Sequence, residues 1–135
     1  MKPPKVVFDT NIFISAIIFG GNPEKCFEMA REGKMGLFTS REILLELARK
    51  LDEKFGMRPE SIERTIEGII NFAEVVKPRF EVSVIEKDET DNKVLEVAKK
   101  VKANFIISGD KKHILPLNKF EETKILSAAE FLKQF

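Results

Sequence analysis

Lys5-Val6-Val7-Phe8-Asp9-Thr10-Asn11 is the stretch on which the reading of the chain turns. Val6, Val7 and Phe8 are consecutive apolar residues, two of them β-branched, and read as a short buried strand. An acid and two cap-type residues follow at once. The next run, 12–19, is apolar and too long for a single turn, so the local order is strand, Asp9, helix. In an open parallel α/β sheet the functional crevice lies beyond the carboxyl ends of the strands. That places Asp9 at the edge where chemistry is done. An alternative stays open here: Thr10 or Asn11 caps the helix and Asp9 is a turn residue.

The same geometry recurs near the other end. Residues 104–107, Asn-Phe-Ile-Ile, form the clearest strand, and Ser108-Gly109-Asp110 follows directly. A short helical turn near Leu115 holds His113, the single histidine, which reads as a surface or supporting residue. Two further acids fall in helices that should start at the same edge. Thr39-Ser40-Arg41-Glu42 is a capping-box pattern opening a helix to about residue 54. Ile43, Leu44, Leu47, Ala48 and Leu51 share one face of it. Glu42 reaches back to the cap, whereas Glu46 has no such task and borders the apolar stripe. Its alternative is an ordinary surface pair with Lys50. The stretch 86–92 is the most acidic in the chain. It precedes a helix whose buried face is marked by Val94, Leu95, Ala98 and Val101. Asp91 shares that face at the helix start, where the dipole favours a carboxylate. Asp88 could cap the same helix, and both acids have capping as their alternative.

The remaining elements complete the frame. Asn22 as N-cap and Pro23 at the first helical position open a helix ending at Gly33. Cys26, Phe27 and Ala30 stripe that helix, so Cys26 reads as a core residue. A strand at 36–38 follows. The helix 59–72 has Ile62, Ile66, Ile69, Ile70 and Phe72 as its buried positions. A third strand spans 73–77, and an extended piece lies at 82–85. A last strand covers 123–126, and a second capping box, Ser127 to Glu130, opens a terminal helix. The order β-α-α-β-α-α-β-α-β-β-α calls for a three-layer α/β/α fold with a central parallel sheet, one domain over 1–135.

Composition narrows the function. Among 135 residues, 43% are hydrophobic and 33% charged, which is globular rather than disordered. The net charge of +1 makes any nucleic-acid contact a local matter rather than a property of the whole surface. One cysteine cannot form an internal disulfide, which fits a reducing compartment such as the cytoplasm. No signal peptide is visible, and the longest uncharged stretch, 10–23, is too short and too broken for a membrane span.

Asp9, Glu46, Asp91 and Asp110 thus gather at one edge. Four converging carboxylates repel unless they protonate or hold a cation. Oxygen ligands without Cys or His pairs favour Mg²⁺ or Mn²⁺ over zinc. Such a site suits phosphodiester hydrolysis, in which a metal activates water and offsets charge on the phosphate.

Four stretches together, VVFDTNIFISA (6–16), TSREILLELARKL (39–51), KDETDNKVLEVA (87–98) and FIISGDKKHIL (105–115), resemble PIN-domain proteins of the VapC-like branch associated with toxin–antitoxin pairs. The resemblance covers nearly the whole chain. It implies a PIN-like, 5′-nuclease-like fold and a metal-dependent endoribonuclease acting on single-stranded or loop RNA. It further implies that Asp9, Glu46, Asp91 and Asp110 are the metal-binding acids. Asn11 and Ser108 match the family's supporting polar positions, and Asp88 matches an extra acid of the branch. Lys112-His113-Ile114 departs from the pattern, since relatives tend to carry an acid there. The expected partners are RNA, an antitoxin protein acting as inhibitor, and a second copy of the chain in a homodimer. The homodimer is expected because the helices at 12–19 and 59–72 carry more large aliphatics than one sheet face needs. Two other readings compete: a haloacid-dehalogenase-type phosphatase, which also opens strand-Asp-Thr, and a non-catalytic partner-binding domain stabilised by metal.

Overall fold

The computed structural model describes residues 2–79 and 89–135, with backbone alone for 89–91. The extended piece expected at 82–85 and Asp88 lie outside the described residues. A six-stranded sheet of order β3-β2-β1-β4-β6-β5 forms the centre. Its strands are β1 (Lys5–Phe8), β2 (Gly36–Ser40), β3 (Ala73–Val76), β4 (Phe105–Ile107), β5 (Lys119–Phe120) and β6 (Thr123–Leu126). All neighbours pair in parallel except β5, which runs antiparallel to β6 at the edge. The sheet is therefore mixed rather than wholly parallel. The two-residue β5 escaped the sequence reading because it is too short to show alternation and is joined to β6 by a tight turn.

The helices are α1 (Thr10–Ile14), α2 (Gly21–Arg31), α3 (Arg41–Phe55), α4 (Pro59–Ile70), α5 (Glu89–Val101) and α6 (Ala128–Gln134). They flank the sheet to give three layers. On one side the Phe8 ring of β1 meets Phe13 of α1 edge-on at 5.4 Å, and Phe105 of β4 meets Phe131 of α6 at 5.5 Å. Here α2 packs on α1 and α6, and Cys26 is fully buried, its thiol pushed up to about 11 by burial. It is a core residue, as its stripe implied. Helix α5 lies across β1, β2 and β4 and also against α3.

Several local details depart from the sequence reading. Asn22 is not a cap and Pro23 is not at the first helical position; Gly20 precedes α2, with φ at +82°, which a glycine adopts at no steric cost. Ile12 to Phe19 is not one α-helix. After α1 the chain widens into a π-helical turn, Ser15–Phe19, which carries Phe19 out to 73% exposure. A π turn carries one extra residue per hydrogen-bonded loop, so the α-helical spacing of the apolar stripe is lost there. At α3 the cap is Ser40, which accepts from the Ile43 amide at 3.3 Å; Thr39 is the last but one residue of β2 and is buried. Glu42 is therefore one position short of the reciprocal bond and is exposed. The second capping box is complete: Ser127 and Glu130 exchange both bonds, at 3.0 and 3.1 Å. In α4 the inward face is Ile62, Ile66 and Ile69, while Ile70 is 48% exposed.

Candidate active site

Both strand-to-acid junctions meet at the carboxyl edge. Strands β1 and β4 are neighbours, with Phe8 opposite Ile107, so the residues that follow them emerge side by side. The Asp9 amide extends this pairing to the Ile107 carbonyl at 3.2 Å. Asp9 is then itself the N-cap of α1: Oδ1 accepts from the Ile12 amide at 2.8 Å. The cap is neither Thr10 nor Asn11. The other oxygen, Oδ2, accepts the Ser108 hydroxyl and the Gly109 amide, the latter at 3.3 Å. Ser108 Oγ accepts in turn from the Asp110 amide at 2.9 Å. The Asp110 carboxylate turns the following loop, its Oδ1 taking the Lys112 and His113 amides at 2.9 and 3.0 Å. His113 Nδ1 stands 3.4 Å from Asp110 Oδ2.

Asp9 is 2% exposed. Burial pushes its carboxyl up to about 6, the bonds from Ser108, Ile12 and Gly109 pull it back, and the nearby Asp110 charge adds to the rise. Among the described residues, no positive charge is a cause that offsets this burial. The donors present are carboxylate and hydroxyl oxygens, the set that hard divalent cations take. The site therefore fits a Mg²⁺- or Mn²⁺-type ion, with Asp9 and Asp110 as the residues able to hold it.

The other expected members are placed differently. Glu46 lies in the second turn of α3, a helix packed on α1 and α5, with its side chain only 15% exposed. Both its oxygens face Arg49, with Nε to Oε2 at 3.2 Å and Nη2 to Oε1, and Lys50 Nζ is 3.8 Å from Oε1. The alternative pairing with Lys50 is thus present, but Arg49 is the main partner. Asn11 is exposed on the first turn of α1. Asp91 falls in the first turn of α5, with its side chain outside the described residues, as is Asp88. Among the described residues, no group of three or more acids, histidines or cysteines is close enough to bind one ion.

Sequence reasoning missed two buried polar residues of α5, Asn92 and Glu96, at 7% and 5% exposure. Lys93 Nζ lies 3.4 Å from Glu96 Oε1. The available signal was Val97, which with Val94, Leu95 and Ala98 makes the apolar arc too wide for a helix exposed on one side. Thr10 and Thr39 are likewise buried, and their hydroxyls find no hydrogen-bond partner among the described residues.

The PIN domain family model matches residues 5–112, from the start of β1 to just past Asp110. The chain belongs to the PIN-domain family. PIN domains are nucleases, hydrolases of nucleic-acid phosphodiester bonds that typically use divalent metals. The haloacid-dehalogenase reading gives way to this family, which reproduces the strand-Asp-Thr opening without a phosphatase cap. A relative of the PIN chain, "Uncharacterized protein MJ1680" of Methanocaldococcus jannaschii, is 34% identical over 145 residues, covering 97% of this chain and 91% of that protein. Among the described residues, no helix of this PIN protein is long and apolar enough to cross a membrane.

Proposed function

We propose that this PIN-domain protein is a Mg²⁺- or Mn²⁺-dependent endoribonuclease whose metal-holding acids are Asp9, Glu46, Asp91 and Asp110. The observation that carries the reading is the Asp9–Ser108–Asp110 constellation at the carboxyl edge of β1 and β4, in a family of nucleases. Ser108 fixes the Asp9 carboxylate, and the loop amides fix that of Asp110, so both acids are oriented before substrate arrives. When bound, the divalent ion supplies Lewis acidity at the phosphate and a water of lowered pKa. Asp9, largely desolvated, offers concentrated negative charge to that ion. Asp91 at the start of α5 and Glu46 on α3 complete the acid set, with Asn11 and Asp88 in supporting places. Glu46 does so by exchanging its Arg49 contact for the metal.

Single-stranded or looped RNA is the substrate, because splayed nucleotides reach an edge crevice more readily than a duplex does. The whole chain, 1–135, acts as one domain in the cytoplasm. It is the toxin of a toxin–antitoxin pair, restrained by an inhibitor that places a Lys or Arg against the acids. It works as a homodimer. Phe19 and Phe55, 73% and 38% exposed, touch edge-on at 5.9 Å and are apolar side chains that such a contact would cover. The decisive experiment is cleavage of a structured RNA with Mg²⁺, with Mn²⁺ and with EDTA, using wild type and Asp9→Asn. Metal-dependent cleavage lost in the variant supports the enzyme. Absence of cleavage by wild type, with Mn²⁺ still raising the melting temperature, favours the non-catalytic, metal-stabilised domain. Light scattering across micromolar concentrations checks the dimer, and a monomer mass throughout would remove it.

A further inference from the structure

The opposite edge of the sheet has a different chemistry. There α5 ends, β1, β4 and β6 begin, and the β5–β6 turn projects. Asn104 ties these pieces together. Its Oδ1 accepts the Lys5 amide at 2.8 Å, its amide reaches the Lys5 carbonyl at 2.9 Å, and its carbonyl takes the Lys124 amide at 3.1 Å. Thr123 Oγ1 donates to the Ala103 carbonyl at 2.7 Å, closing the frame from the β6 side. Two concavities of about 760 and 570 Å³ open on this frame and share Asn104 and Glu122 as common walls. Lys99, Lys100 and Lys102 line the first, and Lys2, Lys5 and Lys124 the second. All six are exposed. Against them stand Glu121 and Glu122, in a chain whose net charge is only +1. Among the described residues lining these two concavities, six lysines thus face two glutamates. The groove beside α2 and α4, about 630 Å³, mixes Arg31 and Arg64 with Glu24 and Glu28 and has no such bias.

We propose that this amino edge is a second RNA-contact surface, remote from the acids, which takes the phosphodiester backbone of a strand being cut at the carboxyl edge. The inference rests on the ribonuclease reading for the identity of its ligand. Lysine ammonium groups on flexible stems neutralise phosphates without demanding a sequence. Phe120, half-buried in the wall of the first concavity, offers an aromatic side chain of the kind on which an unpaired base stacks. Helix α5, 13 residues at about 1.5 Å per residue, runs roughly 20 Å from one edge to the other, a length that one continuous single strand exceeds. The surface would give long RNAs an anchoring energy that short ones lack.

The test measures binding and cleavage separately. Fluorescence anisotropy with a labelled oligouridine of about 20 nucleotides, longer than one binding site, is run in EDTA, where no cleavage occurs. Lys99→Glu/Lys100→Glu/Lys102→Glu should weaken binding at least about tenfold and lower the slope of log K against log salt by roughly 2, the value for about three phosphates on a single strand. Lys2→Glu/Lys124→Glu is the second variant, so that misfolding of either does not end the test. With Mn²⁺, the triple variant should raise KM for the long RNA and leave cleavage of a trinucleotide unchanged. Unaltered affinity and salt slope in both variants, with circular dichroism intact, would overturn the proposal. So would tighter binding of a polyaspartate peptide than of oligouridine, which assigns the edge to an acidic protein. Wild type that binds oligouridine in a lysine-dependent way but cleaves nothing with any metal would defeat the nuclease reading and leave this surface standing.

Discussion

Ser108 donates its hydroxyl proton to Oδ2 of Asp9, 99 residues earlier in the chain, while its Oγ accepts the Asp110 amide. One small buried side chain thus orients two acids at once. In Ser108→Ala, Oδ2 keeps only the Gly109 amide, and an influence that holds the Asp9 pKa down is lost. The variant should lose about 1.5–3 kcal/mol in urea unfolding, the usual worth of a hydrogen bond to a charged group. The acidic limb of its pH–rate profile should move to higher pH. A limb that stays where it is in wild type would show that Ser108 does not tune Asp9.

Asp9 should make the metal-free protein less stable as pH rises. Its carboxyl has a pKa near 3.8 when unfolded and about 6 when folded, so the native state holds the proton longer. The contribution is fully present below pH 3.8 and is lost as pH rises through 6. At neutral pH the ceiling on that loss is about 3 kcal/mol, from a shift of about two pH units. Asp9→Asn escapes the loss but faces the Gly109 and Ser108 donors with an amide, which returns part of it. The expected result is a variant more stable than wild type at neutral pH and no more stable in acid, with RNA cleavage down at least about a hundredfold. Chemical denaturation at several pH values, in EDTA, decides it; a constant difference between the two proteins would contradict the burial argument.

Divalent metal should act in the same pH window with the opposite trend. Mn²⁺ competes with the Asp9 proton, so its stabilisation should grow as pH rises past about 6. Differential scanning calorimetry with millimolar Mn²⁺ against EDTA checks this. A melting temperature indifferent to Mn²⁺ on both sides of that pH would mean that the acids do not share an ion.

Glu46 and Glu42 should separate cleanly, and Arg49 should separate from both. Glu42 is exposed and outside the Ser40 cap, so Glu42→Ala should change stability by less than about 0.5 kcal/mol and leave cleavage alone. Glu46→Gln should abolish most cleavage. Arg49→Met frees the Glu46 oxygens from their strongest partner and should lower the Mn²⁺ concentration needed for half-maximal activity. An unchanged metal requirement in Arg49→Met would indicate that Glu46 stays with Arg49 during turnover.

The parts of the fold that were legible are those where burial and period agree. Val6–Phe8 and Phe105–Ile107 are unbroken apolar runs, and the acids just beyond them, Asp9 at once and Asp110 three residues on, land at the sheet edge whatever the exact helix boundaries. What resisted reading depends on single-residue register. Thr39 and Ser40 are equally good caps by type, and only the length of β2 selects Ser40. The π turn at Ser15–Phe19 leaves no mark in composition, since every residue there suits an α-helix core. Buried Glu96 looks like any surface glutamate until α5 is seen wedged between the sheet and α3. The Asp9–Asp110 pairing was inferable because both acids follow strands. The grip of Arg49 on Glu46 was not, because Lys50 offers the same charge one residue later.

The pairing of β1 with β4 also sets a clock. Asp9 leaves the ribosome about a hundred residues ahead of its partners Ser108 and Asp110, which at ~5–20 residues per second is a delay of roughly 5–20 s. During that interval β1 has β2 as its only neighbour, and the carboxyl edge holds one acid of the pair. A nascent chain, or one broken off before β4, cannot assemble the Asp9–Ser108–Asp110 constellation. The constellation is thereby deferred until β4 and the residues that follow it have been made, by strand order alone.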